Sequence, residues 1–197
     1  MLFEITRKHP SIDERRLIIR RCSELGKTIT PYQIDYIFWK QFSLVENKKL
    51  LKDLKTFLYN HVPDYFWYVP ASLAKYHFHP RFNREKGCVK HTKEVIKNAI
   101  YFCYMYDYKN VDESICAATL HDTDKFYFDT KGSDRSKDHG DIVCEKIWKN
   151  NLFPDNPDIA WAIARHMGRF GTPKKDPHTV LDRIIQISDF IASKNLS

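Results

Sequence analysis

Residues 112–125 read DESICAATLHDTDK, and the fold turns on how this stretch is read. Asp112 is expected to cap a helix, after which Ile115, Ala118 and Asp122 recur at three- and four-residue steps along one stripe. A stripe of that period is the face a helix turns to a core. Asp122, beside His121, therefore puts an ionisable group where apolar ones belong. A buried carboxylate or imidazole without a partner costs several kcal/mol, so its presence needs a reason.

The segments on either side repeat the anomaly. After Gly87, the residues Cys88, His91, Val95, Ala99 and Phe102 recur at helical spacing. A segment from about Lys137 to Asn150 aligns His139 with Ile142, Val143 and Ile147, and one from Asp158 to His166 aligns Ile159, Ala162, Ile163 and His166. From about His178 to Lys194, Leu181, Ile185, Ser188, Asp189 and Ala192 fall together. No period-two strand competes, and the predicted class is all-α. One core histidine is more often tied to backbone than to an ion, and a lone His-Asp dipeptide says nothing. Five segments that each turn a metal-competent side chain inward point to bound metal.

Residues 1–60 carry short amphipathic segments without clustered chemistry and read as an N-terminal helical extension; residues 61–197 hold the rest. Ser11 is expected to cap a helix running through Cys22 and Leu25 to Gly26, and Pro31 to open another with Ile34, Ile37, Phe38 and Phe42 on one face. Glu46 to Tyr59 places Leu50, Leu51, Leu54 and Leu58 at helical spacing. Such helices cover the core or meet a partner, and a homo-oligomer fits the second use. At the start of the second part, residues 61–86 are aromatic and broken by Pro63, Pro70 and Pro80, so they form no single regular element.

Composition excludes several classes. With 197 residues, 43% hydrophobic and 29% charged, the chain is an ordinary globular one. Six glycines and neither common phosphate-loop motif argue against a Gly-rich nucleotide loop. Five dispersed cysteines without a C-x-x-C pair read as reduced thiols. No signal peptide and no apolar run of membrane-spanning length is visible, which points to a cytoplasmic protein with no membrane partner. The net charge of +7 suits polyanions such as nucleotides and oligonucleotides.

The order His91, His121-Asp122, His139, His166, Asp189 resembles the H…HD…H…H…D signature of the HD phosphohydrolase superfamily. Locally, GCVKHT, AATLHDTDK, DHGDIV, ARHMGRFG and IIQISDFIASK are each similar to the family's corresponding segments, over roughly residues 63–194. The similarity extends to the HD domain of some bacterial 3′→5′ exoribonucleases and to small HD proteins with a KYH element. It implies an HD-domain helical bundle and a metal-dependent phosphohydrolase acting on a nucleotide or short oligonucleotide. It further implies that His91, His121, Asp122 and Asp189 hold one divalent ion, with Asp122 bridging to a second held by His139 and His166. Imidazole and carboxylate donors suit Mn, Fe, Co, Ni, Zn or Mg, and two such ions activate a water and neutralise charge on a phosphoryl oxygen. Lys125, matching HD-x-x-K, would donate to a nonbridging phosphate oxygen.

The chain departs from that pattern in places. Asp124 stands where many relatives have glycine, His166 is followed by Met167 rather than a second histidine, and no GYP follows. The aromatic stretch offers Lys75, Tyr76, His77 and Arg81 as phosphate or base contacts. Two further readings stay open: a non-catalytic interaction module stapled by metal, and a mononuclear nucleotide phosphatase using only His91, His121, Asp122 and Asp189.

Overall fold

Thr30 starts the first described helix. Its side chain accepts from the Gln33 N–H at 3.3 Å while the Gln33 side chain accepts from the Thr30 N–H at 2.8 Å, a reciprocal cap ahead of Pro31. The computed structural model describes residues 29–72, 80–127 and 134–194, with positions 13, 17 and 20 besides. The helix expected from Ser11 to Leu25 lies otherwise outside the described residues, as do Lys75, Tyr76 and His77.

Helix α1 (Pro31–Phe42) buries Ile34, Phe38 and Phe42 and bends at Phe38, whose φ/ψ of −107°/15° leave the helical region. Asn47 caps α2 (Lys48–Asn60) by accepting from the Lys49 and Leu50 N–H groups, and Leu50, Leu54, Phe57 and Leu58 go inward. Leu51 lies only partly buried, at the edge of a stripe that also takes in Phe57. The aromatic stretch then makes two 3₁₀ turns, Asp64–Trp67 and Pro80–Asn83. Its residues Phe66, Trp67 and Val69 belong to the core.

Five helices follow: α3 (Gly87–Met105), α4 (Val111–Leu120), α5 (His139–Lys149), α6 (Asp158–Arg165) and α7 (Val180–Lys194). Helix α3 packs on α4 and α7, α5 on α6, and α6 on both α4 and α7. Gly87 must be glycine, because a Cβ there would lie 2.0 Å from the Phe82 carbonyl oxygen. One apolar core runs from Phe38 and Leu54 through Val95 and Ile115 to Ile163 and Ile185. Burying each such side chain contributes roughly 1.5–3 kcal/mol. The described residues are helical and strand-free as regular elements, in keeping with the all-α expectation.

One expected cap is wrong. Helix α4 begins at Val111 with Asn110 before it, and Asp112 already lies in the first turn. The Asp112 carboxylate accepts instead from the Asn47 N–H at 2.7 Å, pinning the start of α2 against α4. That tertiary bond outweighs the local capping preference of the residue.

Candidate metal centre

Helix ends, more than helix faces, build the site. His121 is the C-cap of α4 and Asp122 follows in the next turn. His139 is the first residue of α5 and His166 the C-cap of α6. Only His91 in α3 and Asp189 in α7 project from within a helix. All four histidines and Asp122 are buried, and Asp189 keeps 17% of its side chain exposed.

Three of the histidines share one local device. The Nδ1 of His121 faces the Ala118 carbonyl at 2.8 Å, that of His139 the Ser136 carbonyl at 2.6 Å, and that of His166 the Ile163 carbonyl at 2.6 Å. In each case the carbonyl lies three residues earlier. A carbonyl only accepts, so Nδ1 carries the proton and donates, leaving Nε2 as a lone pair aimed inward.

These lone pairs meet acceptors. The Nε2 of His139 lies 2.9 Å from Asp122 Oδ1 and 3.0 Å from His166 Nε2, which itself lies 3.6 Å from Asp122 Oδ1. On the other side, Asp122 Oδ2 lies 3.5 Å from His121 Nε2 and 3.6 Å from His91 Nε2. Asp189 Oδ1 approaches His91 Nε2 at 2.9 Å and His121 Nε2 at 3.8 Å. Among the described residues the buried Nε2 of His121 makes no hydrogen bond of normal geometry. Acceptors gathered face to face repel unless a cation lies between them, and imidazole with carboxylate is a donor set for a divalent ion. The ligand atoms form two groups, each within 4.8 Å: His91, His121, Asp122 and Asp189; and Asp122, His139 and His166. Asp122 belongs to both, one oxygen turned to each.

Electrostatics favour the neutral form at two of the histidines. Burial holds His91 and His166 below the ordinary imidazole range, the neutral form a ligand needs. Burial would also lower His121, but the charge of Asp122 outweighs it and raises this histidine. Against burial, Lys125 and His121 keep Asp122 well below the carboxylate range, and a hydrogen bond from His91 does the same for Asp189.

Lys125 closes the arrangement, its ammonium 2.6 Å from Asp122 Oδ2 with 19% of its side chain exposed. Burial would lower it, and the Asp122 charge raises it, so it stays a cation. Arg81 sits farther out. It pairs with Glu94 at 2.6 Å and lies over Phe82, whose ring packs edge-on against His91.

Two residues have supporting roles that the sequence did not disclose: Asp124, noted there only as a departure from the family pattern, and Lys146. Asp124, fully buried, takes both oxygens to Lys146 at 2.7 and 2.8 Å, and Lys146 also donates to the His61 carbonyl at 2.9 Å. Lys146 lies seven residues after His139 on α5, a spacing that does place both on one face. Gly140 lets α5 meet α6: a Cβ there would lie 2.5 Å from the Ile163 carbonyl oxygen and 3.1 Å from His166 Nδ1.

A family model described as HD domain matches residues 88–193. No curated protein and no solved structure matches the chain.

Proposed function

The chain belongs to the HD-domain family, a superfamily of metal-dependent hydrolases, and on that footing we propose that it cleaves a phosphate ester of a nucleotide or short oligonucleotide. The observation that carries this reading is the single carboxylate of Asp122 shared between two groups of acceptors, with the Lys125 ammonium on the same oxygen as the first group. His91, His121, Asp122 and Asp189 would hold one divalent ion, and Asp122, His139 and His166 a second. Bound ions supply Lewis acidity toward a phosphoryl oxygen and make water a usable nucleophile near neutral pH.

The chain's own groups do the rest. The backbone carbonyls of Ala118, Ser136 and Ile163 fix which imidazole nitrogen faces the substrate side. Asp189, partly open to solvent, stands at the exposed edge of the cluster. Lys125 offers a preorganised cation to the charge that gathers on a phosphoryl oxygen, an interaction worth most where charge develops. The surplus positive charge draws anionic substrates in.

Elemental analysis of the purified protein, followed by reloading with Mn or Fe and a screen of nucleotides and short RNAs, tests the proposal. The expected result is one or two divalent ions per chain and ion-dependent release of phosphate or nucleotide. Absence of bound ion, with no effect of reloading on melting temperature or turnover, sinks it.

No described helix is long and apolar enough to cross a membrane.

A further inference from the structure

Helix α1 turns one face to the core and leaves an aromatic one outside. Tyr32, Tyr36 and Trp39, four and three residues apart, are 80%, 74% and 58% exposed. Large aromatic side chains are costly to leave in water, and three along one 12-residue helix are more than scatter. The bend at Phe38 falls between the second and third of them.

The charge beside them is one-sided. The Lys40 ammonium lies 5.4 Å from the Trp39 ring centre, and Lys93, from α3, lies 5.7 Å from the centre of the buried Phe38 ring. Neither lysine forms an ion pair among the described residues. The carboxylates nearest in sequence are engaged elsewhere: Asp35 with Lys55 at 3.0 Å and with the Tyr59 hydroxyl, Glu94 with Arg81 and Lys97.

We propose that the exposed face of α1, with Tyr32, Tyr36, Trp39, Lys40 and Lys93, docks single-stranded nucleic acid, the rings stacking on bases and the two ammoniums meeting phosphates. Rings of this kind stack on any base, and a lysine pair lacking a carboxylate is complementary to a phosphate backbone. A duplex keeps its bases stacked on one another and offers the rings nothing. The surface lies outside the metal centre, so its use does not depend on which ester, if any, that centre cleaves.

The test measures fluorescence anisotropy of a labelled, phosphorothioate-linked oligothymidylate with the metal-loaded protein, against a hairpin duplex of equal length. Wild type is expected to prefer the single strand. Trp39→Ala and Tyr36→Ala should each weaken it by about five- to 150-fold, the equivalent of 1–3 kcal/mol per stacked base. Lys40→Met and Lys93→Met should each lower the slope of log affinity against log salt by about 0.7. All four variants should keep the melting temperature, the metal content and any turnover of a small chromogenic phosphodiester. Equal binding of duplex, or ring variants that bind like wild type, overturns the proposal. So does a wild-type dimer that Trp39→Ala splits, because the face would then be a contact between protein chains.

Discussion

Asp122 has only two oxygens, and both are committed. One meets His139 and His166; the other meets His91, His121 and Lys125. Asp122→Ala or His121→Ala should therefore strip the divalent ion and much of the stability with it, since binding and folding are coupled. Elemental analysis beside a melting curve reads both at once. His139→Ala or His166→Ala removes donors from one group only. About one ion per chain and most turnover should go, with the fold retained; stoichiometry unchanged by these variants would mean that the two histidines ligate nothing. Lys125 carries charge without ligating. Lys125→Met should keep the metal content and cut kcat/KM by about ten- to a thousandfold, the range for one preorganised donor. Unaltered kinetics would reduce it to a counter-ion of Asp122.

Between elements, two contacts set how the ligands meet. The Asp124–Lys146 pair joins the turn after Asp122 to α5, and the His61 carbonyl brings in the end of α2. Lys146→Met leaves a buried carboxylate unpaired, which should cost about 3–5 kcal/mol in a urea titration, whereas Asp124→Asn combined with Lys146→Met should cost less than the single lysine change. Additive losses would show that the pair does not couple. Gly140→Ala drives a methyl into the Ile163 carbonyl and His166, so α5 must shift away from α6. If Asp122, His139 and His166 hold an ion as proposed, its loss before the other, seen in a metal titration, is the expected result. The helices were legible because apolar periodicity survives in every one, and the inward histidines broke that periodicity where it could be noticed. Asp124 and Lys146 were not, because a charge looks the same in sequence whether it faces water or its partner across the core. The cap at Asp112 was misread for a related reason: its partner, Asn47, stands 65 residues away.

For the whole molecule, candidate ligands from five helices mean that a bound ion would cross-link the core. A ligand at a hundred times its Kd adds about 2.7 kcal/mol. At roughly 2–4 °C per kcal/mol for a chain of this size, loading should raise the melting temperature by about 5–11 °C, and a chelator should return it. A scan that does not move with added metal would show that the cluster is satisfied by protons alone.

The order of the ligands along the chain gives the centre a history as well as a geometry. Asp122, His139 and His166 are all present once residue 166 has been made, whereas the group around His91 waits for Asp189 on α7. Synthesis runs from the N-terminus, and a domain folds as a unit. A chain that stops between residues 166 and 189 therefore carries every residue of the three-residue group and lacks the open carboxylate of the other. Truncation before α7 would separate the two groups by composition, whatever it does to the fold.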